Sequence, residues 1–147
     1  MYPNNVTQIL KRTIERYPLL DISRKSIIQA FDLLNACFVN NNKLLICGNG
    51  GSSSDSDHIV GELMKSFFYD RVLSDEDKLK LVATSPEIGK YLSEKLQPAL
   101  RSISLSAHSA LNTAISNDIS YDSIFTEQLE NFGKKGDLLL LFSCSGI

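Results

Sequence analysis

The sequence has no excess of positive charge. Its 15 Lys and Arg stand against 17 Asp and Glu, a formal net charge of −2 with a pI of about 5.6. No cluster of four or more basic residues supplies a positive patch locally, so unaided binding to a phosphate backbone is not expected. Long apolar runs are absent too. The longest, Leu138 to Phe142, is far short of the roughly 20 residues that a membrane span requires. The start, Met1-Tyr2-Pro3-Asn4-Asn5, lacks the basic and apolar parts of a signal peptide, and a cytoplasmic protein is expected. Cysteine is sparse: Cys37, Cys47 and Cys144 are odd in number and too far apart for a CxxC pair. Reduced thiols are expected, rather than a disulfide framework or a zinc ribbon.

There is no internal repeat and no low-complexity tract in the 147 residues, 43% of which are hydrophobic. Helical and strand-like segments alternate instead, which points to an α/β fold in one domain. Val6 to Tyr17 reads as a helix with Ile9, Leu10 and Ile14 on one side, stopped by Pro18. A second helix runs from about Ser23 to Asn40, with Ile27, Phe31, Leu34 and Phe38 on one stripe, and breaks at Asn40-Asn41-Asn42. These N-terminal helices occupy 1–42. Lys43 to Cys47 is a short apolar run that suits a strand buried on both faces. It leads through Gly48-Asn49-Gly50-Gly51 into a helix over Ser52 to Phe67.

Tyr69 to Pro98 is charged and poorly patterned, a surface excursion with one helix around Ser85 to Leu96. Arg101 to Ser106 alternates with period two as a second strand. Helices through Leu111 and Ile115, then through Phe125, Leu129 and Phe132, lead to Asp137 to Phe142, the clearest buried strand. A parallel sheet normally continues after such a strand through a crossover helix, so the expectation is a fragment of a longer polypeptide with C-terminal strands missing.

Two places combine a buried strand, a sharp turn and small hydroxyl or glycine residues: Gly48 to Ser54 and Ser143 to Gly146. Ligands of parallel sheets gather at the carboxyl ends of strands, so both lie on one edge and are able to share a ligand. A glycine turn into a helix N-terminus favours an anion. No lysine follows these glycines, as a nucleoside-triphosphate loop demands, and Ser53 stands where a dinucleotide fingerprint has its third glycine. That leaves a sugar phosphate as the fitting ligand, or a plain tight turn with no ligand. No nucleotide cofactor is expected. His58 and Glu62, four apart, share one helix face, where they are either acid/base groups or a solvated polar pair. The placement of His108 is left open.

Gly48-Asn49-Gly50-Gly51-Ser52, then Asp55, His58 and Glu62, then Asn117-Asp118, then Gly136-Asp137-Leu138 running into Ser143-Cys144-Ser145-Gly146, resembles the sugar isomerase (SIS) domain of phosphoheptose isomerases. The resemblance extends from the N-terminal helices to the last residue and is least in Tyr69 to Pro98. It implies a three-layer αβα sandwich with a parallel, flavodoxin-like sheet. It also implies a homotetramer with sites at subunit contacts, and conversion of sedoheptulose 7-phosphate into glycero-manno-heptose 7-phosphate for lipopolysaccharide or capsule heptose.

By the same resemblance, Asn49, Gly50, Gly51 and Ser52 contact substrate, and Ser143, Cys144 and Ser145 hold its phosphate. Cys144 stands where threonine is usual. Asn117 and Asp118 contact the sugar, and Glu62 is the acid/base carboxylate. In zinc-binding members, His58 and Glu62 are two of the ligands, and a glutamine and a histidine further along the chain complete the set. The family motif continues as Ser-Gly-Asn-Ser where this sequence reads Ser145-Gly146-Ile147, and low activity is expected of the chain taken alone. The rival expectations are a non-catalytic SIS module that binds a protein partner, of the replication-initiator-associating kind, and a sugar-phosphate sensor.

Overall fold

The computed structural model describes residues 4–145. Gly146 of the last motif and the Met1-Tyr2-Pro3 start lie outside the described residues. The chain divides into two units, 1–36 and 37–147.

In the first unit, α1 (Asn4–Arg16) is followed by a 3-10 turn (Pro18–Ser23) and by α2 (Arg24–Val39), which runs on into the second unit. Tyr17, the residue before proline, leaves the helical region with φ −129° and ψ 76°, because the proline ring crowds the preceding backbone. Val6, Ile9 and Leu10 of α1 face Ile27, Ile28 and Phe31 of α2 across a groove of about 390 Å³.

The second unit opens with the last turn of α2. Asn41 takes the left-handed conformation at φ 56°, and the Asn42 N–H reaches back to the Cys37 carbonyl at 2.9 Å, a helix-ending arrangement that asparagine tolerates. A parallel sheet follows, of three strands in the order β2-β1-β3: β1 Leu44–Cys47, β2 Ser102–Ser104 and β3 Leu138–Leu141. β1 is central and all four of its residues are buried, as its continuous apolar run predicts. On one sheet face Leu45, Cys47 and Leu105 pack with Ile103 against Phe125, Leu129 and Phe132; these aromatics and Leu129 belong to α7 (Ile124–Phe132). On the other face the Ser104 hydroxyl donates to Asp57 Oδ1 at 2.5 Å, tying the sheet to α3 (Gly51–Met64). Helices thus cover both faces of a parallel sheet, the α/β sandwich expected.

Three local expectations differ from the structure. β3 is half-exposed rather than buried on both faces: Leu139 and Leu141 are 37% and 69% exposed. They share a face with Leu45 and Cys47, but α7 lies over β1 and β2, and β3 is the edge of the described sheet. β2 is shorter than its alternating pattern, because beyond Leu105 the Ser106 hydroxyl turns to the Gly48 carbonyl at 2.9 Å. The excursion holds two helices, α4 (Asp75–Thr84) and α5 (Pro86–Lys95), where one was expected. The Ser74 hydroxyl caps α4 by accepting the Asp77 N–H at 3.1 Å, with Asp75, Glu76 and Asp77 in its first turn. These favour a helix start by capping and dipole rather than by apolar periodicity. α6 (Ser109–Asp118) and a 3-10 turn (Tyr121–Ser123) complete the chain between β2 and α7. No helix among the described residues is long and apolar enough to cross a membrane.

Candidate functional site

The loop after β1 has one glycine that no other residue replaces without displacement. A Cβ on Gly48 would stand 2.5 Å from the Ser52 Cβ and 2.8 Å from its carbonyl carbon and oxygen, so the first turn of α3 folds tightly over the loop. Gly50 sits at φ +57°, a region that side chains disfavour. The Ser52 and Ser53 N–H groups close on the Asn49 and Gly50 carbonyls, each at 3.1 Å. The Gly50 and Gly51 N–H groups at the positive end of α3 have no backbone partner among the described residues, the feature that suits an anion.

The second loop meets the first. The Phe142 N–H donates to the Cys47 carbonyl at 2.9 Å and carries the chain past the β1 end into Ser143, Cys144 and Ser145. The Ser52 hydroxyl donates to Cys144 Sγ at 3.5 Å, and the thiol donates to Asp55 Oδ2 at 3.7 Å. The Ser143 and Ser145 hydroxyls lie 3.3 Å apart. Residues 49–52 and 143–145, read separately from the sequence, therefore form one cluster. A third strand end joins it: Ser106, beyond β2, exchanges hydrogen bonds with Gly48, accepting its N–H at 3.4 Å and donating to its carbonyl at 2.9 Å. Sequence reasoning missed Ser106 and the contact between Asp55 and Cys144. Their signal was available as a serine ending the β2 alternation and an acid in the first turns of α3.

Further along α3 lie His58 and Glu62. His58 Nε2 is 3.9 Å from Glu62 Oε1, and the Lys65 ammonium is 3.2 Å from the same oxygen. The Glu62 side chain is 28% exposed, and its Oε2 is buried without a hydrogen-bond partner among the described residues. Arg71 secures this end of the helix, donating to the Leu63 carbonyl at 2.9 Å, to the Glu62 carbonyl at 3.5 Å and to the Lys65 carbonyl. Ten residues separate Ser52 from Glu62, which at 1.5 Å per residue places the carboxylate roughly 15 Å along α3 from the cradle.

Asn117 and Asp118 end α6, and both are exposed. Asp118 rims a cleft of about 420 Å³ between α6 and α7, lined by Leu111, Ile115, Ile119 and Phe132, rather than the strand-end loops. His108 precedes α6, and its ring centre is 6.1 Å from that of Phe132. The described residues form no group of three or more His, Cys, Asp or Glu able to hold a metal ion. The pair of His58 and Glu62 supplies two donors where zinc takes at least three from protein, and Lys65 already faces one of them. The described residues therefore do not make a zinc site.

All three cysteines are free. Burial pushes the Cys37 and Cys47 thiols up, so both stay protonated near neutral pH and neither is a nucleophile.

The tight fit at Gly48 gives a first prediction. Gly48→Ala should displace the loop and destabilise the protein by about 1–3 kcal/mol, the usual cost of overpacking. Thermal melts check this; an unchanged melting temperature would show that the loop yields freely.

Set beside known proteins, the chain matches no family model. It is 34% identical over 122 residues to the phosphoheptose isomerase of Shewanella halifaxensis, covering 83% of this chain and 49% of that protein. It is 33% identical over 127 residues to the phosphoheptose isomerase of Dechloromonas aromatica, covering 86% of this chain and 52% of that protein. Its fold is similar to the structure of phosphoheptose isomerase GmhA from Neisseria gonorrhoeae, with a TM-score of 0.58 at 24% identity over 95% of this chain and 55% of the other. The chain thus spans about half the length of the relatives it matches, and over that half it is similar to proteins named phosphoheptose isomerase.

Proposed function

We propose that this sequence belongs to a sugar-phosphate isomerase that interconverts sedoheptulose 7-phosphate and D-glycero-D-manno-heptose 7-phosphate, for lipopolysaccharide or capsule heptose synthesis in the cytoplasm. The observation that supports it best is the meeting of the two strand-end loops, where Ser52 and Cys144 touch beside the amino end of α3. In this reading Ser143, Cys144 and Ser145 bind the phosphate with the Gly50 and Gly51 amides, and Asn49 and Ser52 hold the substrate beside it. Asn117 and Asp118 are left out of this reading, because Asp118 rims the cleft between α6 and α7. Glu62 carries the proton between adjacent carbons through an enediol, chemistry that requires a positioned acid/base group and no redox cofactor.

The separation of Glu62 from the cradle along α3 fits active sites assembled between copies in a homotetramer, one copy's carboxylate serving a phosphate held by another. Zinc is assigned no role in this reading.

That same separation within one chain favours, as a second reading, a module that binds a sugar phosphate without turnover. Incubating the protein with sedoheptulose 7-phosphate and following the aldose by NMR decides between them. Turnover together with a tetrameric mass by light scattering supports the isomerase. Binding of the ketose without aldose formation supports the module, and neither binding nor turnover overturns both.

A further inference from the structure

Gln128 of α7 is 2% exposed, and its side-chain nitrogen lies among three oxygens: Asn112 Oδ1 at 2.7 Å and the Leu105 and Ile124 carbonyls, each at 3.0 Å. All three are acceptors here, so only the NH2 end of the amide fits between them, and Oε1 is left buried without a partner among the described residues. An apolar side chain would leave no such oxygen unmatched. What the glutamine adds is a donor fixed between α7, α6 and the chain just past β2. Asn112 of α6 passes the connection on, its Nδ2 donating to the Ser106 carbonyl at 3.1 Å. The Ser106 hydroxyl in turn accepts the Gly48 N–H at 3.4 Å and donates to the Gly48 carbonyl at 2.9 Å. Gly48 has no side chain to anchor it and packs against the first turn of α3, so these bonds to its backbone set where the loop before α3 lies.

We propose that Gln128 and Asn112 are positioning residues for the anion cradle. They hold Ser106, Ser106 clamps Gly48, and the Gly50 and Gly51 amides that follow are thereby kept aimed at a bound phosphate. Neither residue touches the ligand. A loop fixed before the ligand arrives loses less freedom on binding, and affinity rises accordingly. The inference rests on the reading of the two strand-end loops as a phosphate site, and it concerns how that site is held rather than how the proton moves.

The test compares wild type, Asn112→Leu, Ser106→Ala and the double variant. Leucine is close to asparagine in size and a better helix former, and it leaves two oxygens for the two N–H groups of Gln128, so α6 and α7 stay folded. Calorimetric titration with inorganic phosphate should show affinity lowered about 3- to 10-fold in each single variant, the worth of one hydrogen bond. The double variant should bind about as weakly as Ser106→Ala alone, because Asn112 acts through Ser106. Hydrogen exchange gives a readout that needs no ligand: the Ser52 and Ser53 amides, bonded to the Asn49 and Gly50 carbonyls, should exchange about 3- to 10-fold faster in Asn112→Leu, with the amides of β1 unchanged. Equal phosphate affinity in Asn112→Leu and wild type, or losses that multiply in the double variant, overturns the proposal. A wild type that binds neither inorganic phosphate nor sedoheptulose 7-phosphate overturns the phosphate-site reading instead, and unchanged exchange at Ser52 and Ser53 then overturns the positioning role as well.

Discussion

Glu62→Gln is expected to lower kcat for sedoheptulose 7-phosphate by about 10²- to 10⁴-fold, the usual contribution of a positioned general acid/base, with KM little changed. The reasoning turns on which acid of α3 is free to act. Asp57 is engaged by the Ser104 hydroxyl at 2.5 Å and serves to hold the helix on the sheet. Asp55 accepts from the Cys144 thiol and holds the two loops together. Glu62 is the acid of α3 with an oxygen that nothing among the described residues engages, and in the proposed isomerase it is the carboxylate left to carry the proton.

Glutamine keeps the side chain's size and leaves an oxygen for Lys65, but it accepts no proton at neutral pH. Steady-state kinetics with calorimetric measurement of substrate binding check the expectation. A variant that retains more than about a third of wild-type kcat would remove Glu62 from the chemistry and leave the cradle as a binding site only.

How far the sequence revealed this arrangement depended on whether a single physical signal dominated each segment. β1 was legible because Leu44 to Cys47 is apolar throughout and central to the sheet. The turn after it was legible because Gly48 and Gly50 do what only glycine does. β3 has an equally apolar sequence, yet Leu141 is exposed: burial depends on what packs over a strand, which a run of leucines does not encode. α4 was hidden because its start is specified by Ser74 and three acids rather than by apolar spacing.

The candidate site was legible in its residue types and less so in its distances. Nothing in the spacing of Asn117-Asp118 from the glycine loop indicated that Asp118 would rim a different cleft. Ser106 and Lys65 escaped notice because a serine after a strand and a lysine after a helix are ordinary residues in those places. Their roles arise only from the neighbours that folding brings to them.

The largest expected effect on stability comes from a residue outside the candidate site. Asp137 precedes β3 and accepts three hydrogen bonds: from the Lys43 N–H at 2.9 Å, from the Lys134 N–H at 2.8 Å, and from the Lys43 ammonium. Both side chains are nearly buried, at 11% exposure for Lys43 and 8% for Asp137. The carboxylate thus ties the start of β3 to the start of β1 and sets the register in which Leu44 lies opposite Leu138.

Asp137→Ala should destabilise the protein by about 3–5 kcal/mol, since it leaves a buried ammonium unpaired and backbone donors without their acceptor. A second change, Lys43→Met, should recover part of this loss by removing the unpaired charge, but not the part due to the backbone donors. The pH dependence has a defined sign. Burial raises the Asp137 pKa, but the hydrogen bonds from Lys43 and Lys134 outweigh it and hold the carboxyl below its ordinary value. The native state therefore binds this proton less readily than the unfolded state, for which aspartate titrates near pH 3.9. The stabilisation is fully present above about pH 4 and is lost as pH falls from there through the lower native pKa. Urea unfolding of wild type and Asp137→Asn across pH 2–7 should accordingly show a stability difference that is constant above about pH 4–5 and shrinks below it. A difference independent of pH would mean that the ionised carboxylate contributes nothing beyond its shape.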